Sequence, residues 1–243
     1  LEEDVKPFQS LVGKLMYVIH TRPDVAYAVM RLARKMATPS VADVKAAKRV
    51  VRYLKGTRER GLVAYANSTS APPDGFEWNI NELVAYSDAA FGDDIKTRKS
   101  TMGGLVLLNN MVLRGCSKLT PSVADSTMYA ELFAMNQVAH SVMFFRQLLE
   151  SMGFAQEKPT VFCGDSQAAL GMVRNPGSSH AKHISVKLHW IGETEMLEHI
   201  KFVYVSTKEM IADFMTKQLP LPQQDILTEQ VMDIKNILKP LKD

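Results

Sequence analysis

Cysteine is scarce: Cys116 and Cys163 are the chain's two, too few for a disulfide framework and at no metal-ligand spacing. No apolar run is long enough to span a membrane. The acidic start, Leu1-Glu2-Glu3-Asp4, lacks the apolar stretch of a signal peptide. A reduced, intracellular setting is the expectation. The chain also starts without methionine, which reads as a piece of a longer polypeptide, and it shows no internal repeat. What is present suits a packed soluble domain rather than a disordered one, with 46% hydrophobic and 23% charged residues. Its 243 residues allow one large domain, or a medium domain plus a smaller piece.

Neither sign of charge dominates overall, but the distribution is uneven. Residues 1–62 carry 13 Lys/Arg against 6 Asp/Glu, about +7, whereas the remainder carries 16 against 20, about −4. A basic segment beside a mildly acidic body suits a phosphate-bearing partner, and a solvated helix surface explains the same charge equally well.

Three helices are predicted in the basic segment. Phe8, Leu11, Val12, Leu15, Met16 and Ile19 recur at helical spacing. Thr21-Arg22-Pro23-Asp24 reads as a helix start with Thr21 as N-cap, running to about Met36. Ser40-Val41-Ala42-Asp43 opens a third helix with a capping box, ending near Gly56. Its polar face is Lys45, Lys48, Arg49, Arg52 and Lys55. A short strand is predicted over 61–65, and Asn67 to Gly75 reads as a linker.

Strands then take over. Leu83 to Asp88 reads as a half-buried strand running into an acid. Thr101–Leu108 and Met111–Cys116 follow as a hairpin turning at Asn109-Asn110, with Gly103-Gly104 permitting close backbone approach or a bulge. A long helix capped at Asp125 or Ser126 ends at Gly153, and a fourth strand over 159–163 leads into Gly164-Asp165. A short helix over 166–174, a polar loop with His180 and His183, a helix over 185–198 and a fifth strand over 199–205 complete the alternation. Ser206-Thr207-Lys208-Glu209 reads as a capping box opening a last core helix through Lys217, after which Leu219 to Pro222 leaves the domain for a weakly amphipathic tail. The order β-β-β-α-β-α-α-β-α predicts an α/β fold, a mixed sheet with helices on both faces.

Four carboxylates occupy comparable settings: Asp88 at the end of the first strand, Glu131 on the apolar stripe of the long helix, Asp165 at the carboxyl end of the fourth strand, and Asp213 in the last helix. Gathered together they would repel unless cations joined them, and hard oxygen ligands suit Mg²⁺. Two such ions activate a water and stabilise the leaving oxygen of a phosphodiester. Taken singly the acids have plainer readings: Asp165 as a helix N-cap, Asp213 as an exposed helix acid, Asp88 as a cap of the following turn. Glu131 on an apolar stripe has no comparably plain one.

From about Leu11 to Pro220 the chain resembles the end of a copia-type LTR-retrotransposon polyprotein. The residues that carry the resemblance run from Ser10-Leu11-Val12-Gly13-Lys14-Leu15-Met16-Tyr17 through Thr21-Arg22-Pro23-Asp24-Val25-Ala26-Tyr27 and Arg49-Val50-Val51-Arg52-Tyr53-Leu54-Lys55-Gly56-Thr57. They continue with Tyr86-Ser87-Asp88-Ala89, Thr97-Arg98-Lys99-Ser100-Thr101, Ala130-Glu131, Gly164-Asp165-Ser166-Gln167-Ala168-Ala169, Lys182-His183-Ile184, His189-Trp190-Ile191 and Ala212-Asp213-Phe214-Met215-Thr216-Lys217-Gln218-Leu219-Pro220. The resemblance implies a ribonuclease H-like five-stranded mixed sheet over 81–220, preceded by a helical tether over 1–66 after reverse transcriptase and a linker over 67–80, and followed by a tail over 221–243.

It further implies Asp88, Glu131, Asp165 and Asp213 as catalytic and metal-binding acids for two Mg²⁺ ions, with Mn²⁺ as a substitute. The expected chemistry is hydrolysis of the RNA strand of RNA–DNA hybrids. Ser87, Arg98, Lys99, Ser166, Gln167, Lys182 and His183 are the expected substrate contacts. The expected partners are the hybrid and the reverse transcriptase portion of the same polyprotein, with no membrane. The expected setting is the cytoplasm, virus-like particles included. The chain departs from the family pattern at Ala90-Phe91, where a second acid and a tryptophan are usual, over Arg114-Gly115-Cys116-Ser117-Lys118, and at Met128-Tyr129, where one of two glutamates is lost. Those departures motivate an alternative, a catalytically weak or inactive remnant that binds nucleic acid or serves as a structural module of a reverse transcriptase.

Overall fold

The computed structural model describes residues 2–64, 81–175 and 182–232, without the side chains of 2–4 and 182–185. The predicted linker, the polar loop with His180, and the tail from 233 onward lie outside the described residues.

The basic segment forms α1 (Glu2–Val18), a single 3-10 turn (Pro23–Val25), α2 (Ala26–Ala33) and α3 (Val41–Gly56). Their apolar stripes meet in one cluster: Phe8, Val12 and Leu15 pack with Val29, Leu32, Ala47 and Val50. At Ser40 the full capping box forms, with the side-chain oxygen accepting from Asp43 N and the Asp43 carboxylate accepting from Ser40 N. Thr21 is not an N-cap; its hydroxyl donates to Val18 O at 3.2 Å and so finishes α1 instead. Over 61–65 no strand develops: Gly61 makes an isolated bridge, and Tyr65 lies outside the described residues.

β1 (Leu83–Ala90), β2 (Thr101–Leu108), β3 (Met111–Leu119), β4 (Thr160–Gly164) and β5 (Ile200–Tyr204) form one sheet in the order β3-β2-β1-β4-β5. β1–β2 and β2–β3 pair antiparallel, and β1–β4 and β4–β5 pair parallel. The hairpin turns at Asn109 and Asn110, both with positive φ (52° and 64°), as a two-residue turn of matching twist requires. β1 is central. Its first seven residues are all buried, so the predicted half-exposed alternation gives way to a strand covered on both faces.

One face carries α4 (Thr127–Ser151), α5 (Gln167–Arg174) and α6 (Lys182–Met196), packed on Leu83, Ala85, Phe162 and Phe202. Ser126 caps α4 and Ser166 caps α5, each accepting from the backbone three residues on. The other face carries α7 (Asp213–Thr216) and α8 (Leu221–Glu229), with Met210, Phe214, Met215, Leu227 and Met232 against Val84, Tyr86 and Leu105. The chain does not leave the core at Pro220: Leu227, Val231 and Met232 are each 2% exposed.

The helical segment reaches this second face too, where Ala26 joins its apolar cluster. Arg22 is buried against Asp24 (Nη2–Oδ2 2.7 Å), and the same carboxylate accepts from Tyr53 OH at 2.9 Å. Gln224 donates to Asp24 O at 3.2 Å, and Arg60 pairs with Asp225 at 2.9 Å, which ties α8 to the helical segment. Arg34 donates to Thr101 Oγ1 at the start of β2 (2.9 Å).

Candidate active site

Asp88 is the sixth residue of the central strand, opposite Gly103 in the β1–β2 register, and is 1% exposed. A Cβ on Gly103 would lie 2.6 Å from both Met215 Cβ and Thr216 Cγ2. The bare glycine therefore lets α7 lie directly on the sheet beside Asp88. There the Thr216 hydroxyl donates to Asp88 Oδ2.

Glu131 projects from the first turns of α4, half-buried, and accepts from Ala89 N at 3.3 Å. Asp165 follows the last residue of β4, where parallel pairing with β1 brings it beside Asp88, and it accepts from Thr207 Oγ1 at 3.0 Å. Ligand oxygens of Asp88, Glu131 and Asp165 lie within 4.8 Å of one another, while Asp213 falls outside this group. Asp213 is itself 3% exposed, with Lys217 Nζ 2.9 Å from its Oδ1 and 3.3 Å from Asp88 Oδ2.

Burial first, then the charges of Asp88 and Asp165, push the Glu131 carboxyl well above the usual range. Asp165 is raised by burial and by Asp88, against the Thr207 hydrogen bond. Burial and Asp88 raise Asp213 to about 6, although the adjacent ammonium opposes them. Burial pulls Lys217 down, but Asp88 and Asp213 outweigh it, and its ammonium form is held more tightly than usual.

Burial and the neighbouring carboxylates thus oppose the ionisation of Glu131 and Asp165, and a divalent cation would relieve this. Their hard, closely spaced oxygens fit Mg²⁺ or Mn²⁺. Asp88, Glu131 and Asp165 are the residues that would hold such an ion.

The expected substrate contacts divide. Ser87 is 0% exposed and its Oγ has no hydrogen-bond partner; strand alternation turns it toward α4 with Ala85 and Ala89, so no surface phosphate reaches it. Arg98 stands exposed in the β1–β2 turn at φ 55°, and Lys99 donates to Pro121 O at 2.7 Å. Ser166 Oγ accepts from Ala169 N (3.2 Å), and Gln167 is exposed at the start of α5. The side chains of Lys182 and His183 lie outside the described residues. Ala90 closes β1, and Phe91 is exposed in the turn that follows it. Sequence reasoning assigned no role to Thr207, Thr216 or Lys217. The i, i+4 spacing of Asp213 and Lys217 was the available signal.

This antiparallel meander continued by two parallel strands, with the acids converging at its centre, is a ribonuclease H-like fold. No family model matches the chain. It is 34% identical over 228 residues, 93% of its length, to the Retrovirus-related Pol polyprotein from transposon TNT 1-94 of Nicotiana tabacum. It is 31% identical over 217 residues, 89% of its length, to that from transposon RE1 of Arabidopsis thaliana. The chain's homologues are therefore retrovirus-related Pol polyproteins of copia-type transposons. It spans 16% and 14% of those two polyproteins. Among solved structures, LC11-RNase H1 isolated from compost aligns with 63% of this chain and 96% of its own, at 12% identity and a TM-score of 0.41. The N-terminal RNase H domain of rv2228c from Mycobacterium tuberculosis aligns with 61% and 96%, at 10% identity and a TM-score of 0.41.

Proposed function

We propose that the chain is a divalent-metal-dependent nuclease that hydrolyses the RNA strand of RNA–DNA hybrids during retrotransposon reverse transcription. The observation that carries this reading is the convergence of Asp88, Glu131 and Asp165 within 4.8 Å. In it, those three acids would hold a first Mg²⁺ ion, and Asp213 would contribute to a second. When bound, the ions supply an activated water and stabilise the leaving oxygen. Thr216 orients Asp88, and Thr207 orients Asp165. The hybrid is read by shape, phosphates and 2′-hydroxyls rather than by base sequence. Arg98, Lys99, Ser166, Gln167, Lys182 and His183 are its proposed contacts.

In the same reading residues 1–66 are the connection from a reverse transcriptase portion of the same polyprotein and present basic α3 to the duplex backbone. Residues 67–80 are the linker, 81–220 the nuclease and 221–243 its C-terminal extension. The setting is cytoplasmic, virus-like particles included. Among the described residues no helix is long and apolar enough to cross a membrane.

The test is a cleavage assay on a hybrid labelled separately on each strand, with Mg²⁺ or Mn²⁺. RNA-strand cleavage that chelation and Asp88→Asn both abolish is the expected result. A folded protein that cuts neither strand at high concentration refutes it. The second reading, a binding module without turnover, is favoured by the Lys217 ammonium already seated on Asp88 and Asp213. It predicts hybrid binding that chelation leaves unchanged.

A further inference from the structure

Lys217 closes α7 and extends back across the helix's first residue. It bridges two enclosed carboxylates, 2.9 Å from Asp213 Oδ1 and 3.3 Å from Asp88 Oδ2, whose side chains are 4% and 2% exposed. The Lys217 side chain is 36% exposed, and its backbone has left the helix for the extended region (φ −130°, ψ 155°). Asp88 therefore has two acid-lined sides: one shared with Glu131 and Asp165, the other shared with Asp213 and filled by an ammonium.

An ammonium there balances one charge and orients both acids, but as a point charge with three N–H donors it cannot bind or polarise a water as a divalent ion does. We propose that Lys217 is a positioning residue that controls metal stoichiometry: its ammonium holds the Asp88–Asp213 position, one divalent ion binds tightly to Asp88, Glu131 and Asp165, and a second ion binds only by displacing Lys217. The proposal rests on the reading of the three-acid group as a metal site.

Counting bound Mn²⁺ on the full chain, by calorimetry and by the spin resonance of free Mn²⁺, tests it. The native chain takes one ion tightly and a second more weakly. Lys217→Met tightens the second at least about tenfold, the scale on which groups next to a metal shell tune affinity, and leaves the first in place. Lys217→Arg keeps the charge and retains the native pattern. A purely structural Lys217 would shift melting temperature without changing the second ion's affinity, and equal second-ion affinities in the native chain and Lys217→Met overturn the proposal. If Lys217→Met does not fold, Asp213→Asn decides: loss of the weak ion with retention of the tight one supports the proposal, and retention of both overturns it. A native chain that binds no Mn²⁺ overturns the metal-site reading itself, a different outcome from either.

Discussion

At the scale of the residue, the site is a problem of like charges. Glu131, Asp165 and Asp213 all titrate above their ordinary range, from burial and from Asp88 close by. For an acid raised in the folded state, the stability it contributes is present below its unfolded pKa and is lost as pH rises through the folded one. Metal-free protein should therefore lose melting temperature between about pH 4 and 6 through Asp213, from its ordinary 3.8 to about 6. Melting curves in chelator check this: Asp213→Asn should flatten that slope, and added Mg²⁺ should restore stability above pH 6. Glu131→Gln should weaken Mn²⁺ binding by more than the roughly 10–100-fold that an outer-shell partner costs, measured by calorimetry.

All four acids were legible in the sequence as candidates, though taken singly only Glu131, on an apolar stripe, lacked a plainer reading. Their grouping was only partly so. Thr216 meets Asp88 across 128 residues of chain and Thr207 meets Asp165 across 42, and no local pattern encodes such pairings.

At the scale of the element, one capping box formed as read and another did not lead where its pattern pointed. Ser40 opens α3 because the residues behind it alternate between a buried and a solvated stripe. Ser206 does bond Glu209, at 2.8 Å, but turns follow until Asp213. Seven consecutive residues, Met210 to Thr216, are buried, and a single surface helix buries only a stripe. The broken path presses all of them into the second face and ends with Asp213, Thr216 and Lys217 over Asp88. The Gly103-Gly104 pair was readable as a place of close approach, and α7 is what approaches Gly103. Gly103→Ala should destabilise the protein by about 1–3 kcal/mol, since either α7 or the sheet must give way, and should lower hybrid cleavage in parallel. Thermal unfolding and the cleavage assay measure the two effects.

At the scale of the whole molecule, the helical segment is part of the sheet's surroundings. Its buried Arg22–Asp24 pair, Tyr53, and the links from Gln224 and Arg60–Asp225 join chain regions up to 200 residues apart. The alternation of strands and helices announced the mixed sheet, but the return of α8 to the helical segment had no sequence signal beyond a weak amphipathic pattern. Asp24→Ala leaves the buried Arg22 without its carboxylate, with its hydrogen bonds to Thr57 remaining, and should cost about 3–5 kcal/mol in denaturant unfolding. Asp225→Ala, at a carboxylate 32% exposed, should cost no more than about 1 kcal/mol.

The central claim is that Asp88, Glu131 and Asp165 form the divalent-metal centre. Anomalous scattering from a crystal of the full chain grown with Mn²⁺ tests it most directly. The account predicts a peak bonded to all three carboxylates at about 2.0–2.2 Å. A folded chain with Mn²⁺ in the crystal and no peak among these acids, or a peak held elsewhere, contradicts it.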